Sequence, residues 1–119
     1  MDTILIVDDC PEIRKVYTEL LSLHGFRVMA AEGGFSAHDL YLRYDFQIIM
    51  TDMIMDKMCG NEFIAKVREN NNEIPIIAIS GNPRQQAISK KAGANVFLEK
   101  PFCSTILIEN INRHLEQKC

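Results

Sequence analysis

Short apolar runs alternate strictly with longer amphipathic segments along this chain, and this alternation constrains its fold more than any other feature. Each run is four to six residues long, and most are rich in β-branched side chains. Uninterrupted runs of this length are typical of strands that are covered on both faces, as in parallel sheets. Strands are therefore predicted at residues 3–7, 26–31, 46–50, 74–79 and 95–98.

The segments between these strands have the spacing of amphipathic helices. The first segment places Ile13, Val16 and Leu20 on one face. Pro11 suits the first turn of that helix and Gly25 suits its end. The other helices are predicted at residues 36–43, around residues 63–67, from Pro83 to Gly93, and at residues 104–116.

Five strands and five helices in strict alternation predict an α/β fold, with a doubly wound five-stranded parallel sheet and right-handed crossovers. A length of 119 residues suits one domain, so residues 1–119 are expected to form a single unit. In such sheets the functional site lies at the carboxyl ends of the strands. Candidate functional residues are therefore expected directly after the strands.

Composition and charge narrow the class of protein. The chain is 47% apolar and 24% charged, with a net charge of −3, so bulk electrostatics do not favour binding to nucleic acid or to a membrane surface. No apolar run is long enough to span a membrane and residues 1–10 carry no basic leader, so a cytoplasmic protein without membrane insertion is expected. Four cysteines fit no zinc or redox motif and are expected to be free thiols: Cys10, Cys59, Cys103 and Cys119.

Polar side chains stand at the carboxyl ends of four predicted strands. Asp8 and Asp9 follow the first, Asp52 follows the third, Ser80 the fourth and Lys100 the fifth. Three carboxylates close together repel one another, and a hard divalent cation such as Mg²⁺ relieves that repulsion. A carboxylate can also act as a nucleophile that forms an aspartyl phosphate, with an ammonium group and a hydroxyl stabilising the transferring phosphoryl group.

With these residues in place, the chain resembles the receiver domain of bacterial two-component response regulators, and in particular the single-domain chemotaxis regulators. The resemblance covers essentially the whole sequence. It implies a flavodoxin-like receiver fold with the strand order 2-1-3-4-5. It rests on Asp8-Asp9 after TILIV, Asp52 followed by MIMDKMCG, Ser80-Gly81 and Lys100-Pro101.

The resemblance assigns the acidic residues to phosphorylation and metal binding. It implies that Asp52 is the phosphoacceptor, and that Asp9 and Asp52 ligate Mg²⁺ (or Mn²⁺) directly. The backbone carbonyl of Ile54 is the implied third protein ligand. Asp8 is expected to act mostly through water.

The resemblance also assigns the response to phosphorylation. Lys100 is expected to pair with Asp52 and then with the phosphoryl group, and the Lys100–Pro101 peptide bond is expected to be cis. Ser80 matches the hydroxyl that moves toward the phosphoryl oxygen, and Phe97 matches the aromatic switch residue. The alternative for Phe97 is a half-buried strand aromatic with no switching role.

Two kinds of partner are implied by the resemblance. The phosphoryl donor is expected to be a histidine kinase or a histidine phosphotransfer protein, docked with help from Ile13, Arg14 and Tyr17 of the first helix. Output is expected to reach a downstream protein through the face formed by helix four, strand five and helix five, without direct contact to nucleic acid. The protein is not expected to be an enzyme, beyond catalysing its own phosphorylation and dephosphorylation.

The loop after Asp52 departs from the usual family pattern. Asp56 stands where a proline is common, and Cys59 precedes the retained Gly60. Ile54 is apolar and cannot orient an attacking water molecule, which predicts slow self-dephosphorylation.

Three other functions are open to a chain with this sequence. A hydrolase with an aspartate nucleophile would generally need a second aspartate at the position of Ile54. A phosphorylation-independent protein-binding module of the same fold would usually have lost the acceptor, an acidic residue or the lysine, and this chain keeps all of them. Flavin binding is suggested by fold analogy alone, and the residues after Val7 do not resemble a phosphate-binding loop.

Overall fold

Five strands and five helices alternate along residues 2–116, the part of the chain that the computed structural model describes. The predicted α/β fold is therefore confirmed. The strands are β1 (Thr3–Val7), β2 (Arg27–Ala31), β3 (Ile48–Asp52), β4 (Ile76–Ser80) and β5 (Val96–Glu99). The helices are α1 (Pro11–Leu23), α2 (Gly34–Arg43), α3 (Gly60–Arg68), α4 (Gln85–Ala92) and α5 (Ser104–Glu116).

The five strands form one parallel sheet in the order β2-β1-β3-β4-β5, which is the order that the resemblance implies. The pairing aligns Val7 at the end of β1 with Thr51 of β3. It also aligns Ser80 at the end of β4 with Glu99 of β5. Because the strands run in the same direction and end in register, the residues that follow them lie along one edge of the sheet, the carboxyl edge.

Two apolar layers cover the two faces of the sheet. Leu5 and Ile6 are neighbours in β1 but belong to different layers, because successive residues of a strand point to opposite faces. Phe63 of α3 is fully buried in one layer, and Leu107 of α5 is fully buried in the other. Coverage on both faces is confirmed for β1, β3 and β4 but is wrong for β2 and β5, which are partly exposed at the two ends of the sheet.

The helix ends at the carboxyl edge differ from those at the opposite edge. At the opposite edge, α1 ends as predicted at Gly25, which has a φ of 88° and donates its N–H to the Ser22 carbonyl at 3.1 Å. At the carboxyl edge, the N-cap residues of α1 to α4 make no side-chain capping hydrogen bond. These residues are Cys10, Gly33, Cys59 and Arg84.

Arg68 braces the opposite edge at the end of α3. Its Nε donates to the Gly93 carbonyl at 3.0 Å, and its Nη1 donates to the Asn71 carbonyl at 3.1 Å. Its Nη2 donates to Asn95 Oδ1 at 2.9 Å. One guanidinium therefore joins the ends of α3 and α4 to the residue that precedes β5.

Two predicted helix starts are corrected by the structure. Helix α4 begins at Gln85 rather than at Pro83, because the Asn82 side chain accepts the Arg84 N–H at 3.0 Å and forms a turn first. Helix α2 begins at Gly34, two residues before the predicted start. The end of α4 at Gly93 is confirmed, with a φ of 121°.

We expect Gly60→Ala to destabilise the protein. A Cβ atom on Gly60 would lie 2.7 Å from the Met53 Cα and would also overlap the Asp52 carbonyl oxygen, both of which are backbone atoms. Relieving that overlap should cost about 2 kcal/mol or more of the free energy of unfolding, measurable by urea denaturation. Gly81→Ala is the matched control, since a Cβ there meets nothing within 4 Å. Equal unfolding midpoints for the two variants would contradict this expectation.

Candidate functional site

Three aspartates meet at the carboxyl edge of the sheet. Carboxylate oxygens of Asp8, Asp9 and Asp52 all lie within 4.8 Å of one another. Asp8 is buried with 2% of its surface exposed, Asp52 is half-buried and Asp9 is exposed. The adjacency of β1 and β3 causes this meeting, since the carboxyl ends of two paired parallel strands lie side by side.

Asp8 is held in place through both of its carboxylate oxygens. Its Oδ1 accepts the Cys10 N–H at 2.9 Å, and its Oδ2 lies 3.7 Å from the Lys100 Nζ. Its main-chain carbonyl accepts a hydrogen bond from Arg14 Nη1 at 2.7 Å. The ion pair of Lys100 is thus with Asp8, whereas the resemblance implies a pair with Asp52.

Asp52 is half-buried in the cluster and makes fewer contacts than Asp8. Its Oδ1 accepts a long hydrogen bond from the Ile54 N–H at 3.5 Å. Burial raises the pKa of Asp52 above its ordinary value of 3.8, and the charge of Asp8 raises that pKa further. The Lys100 ammonium and the N–H groups of Ile54 and Met53 oppose that rise. Positive charge placed here would therefore favour the ionised, nucleophilic form of Asp52.

The two predicted switch residues lie on neighbouring strands. Ser80 is buried at the end of β4, where its Oγ accepts the Asn82 N–H at 3.1 Å and its carbonyl accepts the Lys100 N–H at 2.9 Å. Phe97 is half-buried on β5, pairs in register with Ala78, and packs against the layer that contains Phe63. The predicted cis peptide bond between Lys100 and Pro101 is present.

An aromatic contact beside the carboxylates was not predicted from the sequence. The rings of Tyr17 and Phe102 are stacked, with centroids 6.4 Å apart and planes at 10°. Burial, together with the charges of Asp8 and Asp52, raises the pKa of Tyr17 to about 12. Both rings line a largely apolar cavity of about 430 Å³ between α1 and the segment that leads into α5, together with Ile13, Leu20, Lys100 and Leu107.

The cysteines Cys10, Cys59 and Cys103 each directly precede a helix at the carboxyl edge, and all three are free thiols. Cys59 Sγ donates to Glu62 Oε1 at 2.9 Å, and this hydrogen bond, with a contribution from burial, raises the pKa of the Cys59 thiol. A raised pKa disfavours the reactive thiolate. Cys119 lies outside the described residues.

We expect Asp52→Asn to raise the free energy of unfolding near neutral pH when a chelator is present. Folding raises the pKa of Asp52 above 3.8, so the folded state binds this proton more tightly and wild-type stability falls as pH rises through that window. The advantage of the uncharged Asn should therefore shrink as the pH is lowered toward 3.8. It should be about 1 kcal/mol or less, because solvent screens a half-buried group.

Urea unfolding at neutral and acidic pH measures this effect. Asp56→Asn, in the exposed loop that follows β3, is the matched control and should change stability by less than about 0.5 kcal/mol. An advantage of Asp52→Asn that grows on acidification would contradict the expected sign.

Comparison with known proteins places this geometry in a family. The family model for the response regulator receiver domain matches residues 4–112. Chemotaxis protein CheY1 of Helicobacter pylori is 35% identical over 114 residues, which cover 91% of this chain and 92% of that protein. A probable cyclic di-GMP phosphodiesterase of Vibrio cholerae is 30% identical over 120 residues, but this chain spans only 27% of its length.

A solved structure of another response regulator agrees in fold. The response regulator TrrA of Thermotoga maritima, in complex with Mg(2+)-BeF, superposes with a TM-score of 0.90 at 26% identity, over 96% of this chain and 99% of that one. The strand order of this chain, its match to the family model and its acidic cluster at the carboxyl edge agree with one another. This chain therefore belongs to the response regulator receiver domains, the phosphoryl-accepting signalling domains of two-component systems.

Proposed function

We propose that Asp52 is the residue of this receiver domain that accepts the phosphoryl group. The observation that carries the proposal is the convergence of three carboxylates, with Lys100 beside them, at one edge of the sheet. Asp8 is a poor nucleophile, because it is buried and both of its oxygens are engaged. Asp9 is exposed at the outside of the cluster. Asp52 lies between these extremes, with backbone N–H groups directed at its carboxylate.

The proposed reaction is an in-line displacement at phosphorus. A carboxylate oxygen of Asp52 attacks the phosphorus of a phosphohistidine, and the P–N bond breaks. The electron pair of that bond stays on the imidazole nitrogen, which takes up a proton, and an acyl phosphate remains on Asp52. Lys100, 3.7 Å from Asp8, is close enough to turn toward the new phosphoryl oxygens and balance their charge.

The acidic cluster fits a hard divalent cation. Its donors are carboxylate oxygens within 4.8 Å of one another, which suits Mg²⁺ or Mn²⁺ better than a soft metal. We propose that Asp9, Asp52 and the Ile54 carbonyl would hold the ion, with Asp8 acting through water. Such an ion supplies positive charge to the phosphoryl oxygens during transfer.

The partner surfaces are proposed from exposed apolar side chains. On α1, Val16 is 60% exposed near Ile13 and Tyr17, which favours this helix as the docking surface for a histidine kinase or phosphotransfer protein. On α4 and α5, Ile88 and Ile106 are 41% and 42% exposed. They favour the face formed by α4, β5 and α5 as the surface that meets a downstream protein.

Phosphorylation would act on the residues between these surfaces. The phosphoryl group adds roughly two negative charges at the edge where Ser80 and Lys100 share a hydrogen bond. We infer that it shifts an existing two-state equilibrium of the loop after Ser80 and of Phe97.

We propose that residues 1–119 form one receiver domain and that the protein is cytoplasmic. Among residues 2–116, no helix combines the length and the apolar character that crossing a bilayer requires.

The hydrolase alternative is disfavoured by Ile54, whose exposed apolar side chain offers no acid or base two residues after the acceptor.

Intact mass measured after incubation with a small acyl phosphate tests the acceptor. We expect one phosphoryl group on the wild type with Mg²⁺, and none on Asp52→Asn or when a chelator replaces Mg²⁺. Asp56→Asn, in the same exposed loop, should be phosphorylated as the wild type is. Unmodified wild type with Mg²⁺ present would instead favour the phosphorylation-independent binding module.

We expect the phosphoryl group on Asp52 to be long-lived. The Ile54 side chain is 55% exposed beside Asp52 and cannot orient water for attack on phosphorus. Ile54→Asn should shorten the half-life several-fold, whereas Ile54→Val, which stays apolar, should leave it unchanged. Decay of the phosphorylated mass after removal of the donor measures the half-life for the wild type and for each variant. A wild-type half-life of seconds that Ile54→Asn does not alter would contradict the role of Ile54.

A further inference from the structure

The stacked rings of Tyr17 and Phe102 connect helix α1 with the segment that carries Lys100. Tyr17 belongs to α1, the helix that follows Asp8 and Asp9, and Phe102 stands two residues after Lys100. Their ring centroids are 6.4 Å apart and their planes are nearly parallel, at 10°. Offset parallel rings at this separation attract one another beyond the burial of their surface.

Lys100 depends on its backbone for its position. Its side chain is long and flexible, and its Nζ makes only a 3.7 Å contact with Asp8 Oδ2. On one side, the Lys100 N–H donates to the Ser80 carbonyl at 2.9 Å. On the other side, Pro101 restricts the backbone and Phe102 rests on Tyr17. The stack is therefore the second of two anchors that flank Lys100.

Helix α1 is itself hydrogen-bonded to the backbone of the loop that carries Asp8 and Asp9, so it can serve as the reference for this anchor. Arg14 Nη1 donates to the Asp8 carbonyl at 2.7 Å, and the Arg14 N–H donates to the Cys10 carbonyl at 3.0 Å. Tyr17 lies one turn further along the same helix. A ring held there sets the distance between Asp8 and the segment that carries Lys100.

The Tyr17 phenol is close enough to the acidic cluster for its pKa to respond to the charges there. The charges of Asp8 and Asp52, added to burial, raise the pKa of Tyr17 to about 12, so the phenol stays neutral at physiological pH. The ring also forms part of the wall of the 430 Å³ cavity together with Lys100. Tyr17 therefore brings bulk to this wall without adding a further negative charge to the three carboxylates.

We propose that Tyr17 is a positioning residue for phosphoryl transfer, acting through Phe102 to hold Lys100 at the acidic cluster. The proposal rests on the proposed function, in which Lys100 stabilises the transferring phosphoryl group. It concerns a contact between α1 and the segment before α5, apart from any docking of a protein donor by α1.

The rate of phosphorylation by a small acyl phosphate at saturating Mg²⁺ tests the proposal, since no protein donor is involved. Tyr17→Ala should lower this rate by on the order of tenfold, because a small misplacement of a charged group is costly in phosphoryl transfer. Tyr17→Phe keeps the ring and should stay within about twofold of the wild type. Leu20→Ala, which trims another half-buried wall residue on α1, is the matched control and should leave the rate unchanged.

A double-mutant cycle with Lys100→Ala separates positioning from general loss of structure. In the Lys100→Ala background, Tyr17→Ala should change the rate by less than about twofold, since there is no ammonium left to position. The Mg²⁺ affinity of Tyr17→Ala should equal that of the wild type, because the three aspartates are untouched. Should Tyr17→Ala fail to fold, Tyr17→Leu keeps apolar volume without the stacked ring, and it should lower the rate in the same way.

The outcomes distinguish this inference from the proposed function. Equal fractional losses from Tyr17→Ala with and without Lys100, or a loss from Tyr17→Phe as large as that from Tyr17→Ala, would overturn the positioning role. A wild type that is not phosphorylated, or an Asp52→Asn variant that is, would overturn the proposed function instead.

Discussion

Repulsion between three carboxylates is the constraint around which this molecule is arranged. The parallel pairing of β1 with β3 forces Asp8, Asp9 and Asp52 together, with their oxygens within 4.8 Å of one another. Like charges at this separation disfavour one another's ionised forms. Burial raises the pKa of Asp52, and the charge of Asp8 adds to that rise. The neighbouring cation, Lys100, and the N–H groups of the loops all serve to offset that repulsion.

The three aspartates of the cluster differ in burial and in hydrogen bonding. Asp8 is buried and is held by contacts with Cys10, Arg14 and Lys100. Asp9 is open to solvent, and Asp52 lies between the two. Burial and hydrogen bonds thus distinguish three identical side chains, and the proposed function assigns cation binding and nucleophilic attack among them on that basis.

The sequence predicted the fold and the meeting of the carboxylates, because both follow from where apolar runs end. It misplaced the strand starts because Phe46 and Ile74 are buried in the segments before β3 and β4 without being part of those strands. Apolar character reports burial, and it does not show which residues pair. The start of α4 was missed for a related reason, since a side-chain hydrogen bond of Asn82 decided it.

The contacts between side chains distant in sequence could not be predicted from one chain. Whether Lys100 meets Asp8 or Asp52 depends on a separation of a few ångströms between neighbouring carboxylates. The stack of Tyr17 on Phe102 joins residues that no local pattern connects. A tyrosine in the middle of an amphipathic helix and a phenylalanine after a proline each have ordinary packing explanations, and only the tertiary structure brings them together.

The two edges of the sheet are held by different kinds of hydrogen bond. Arg68 braces the far edge with three hydrogen bonds, while α1 to α4 begin at the carboxyl edge without side-chain caps. At the carboxyl edge, the side-chain hydrogen bonds of Asp8 with Cys10, Ser80 with Asn82 and Asn82 with Arg84 each join residues that are two apart in the chain. Arg68 instead joins residues that are 25 and 27 apart. The bonds at the carboxyl edge can therefore be exchanged within a single loop, whereas a change at the opposite edge would break bonds between separate segments of the fold.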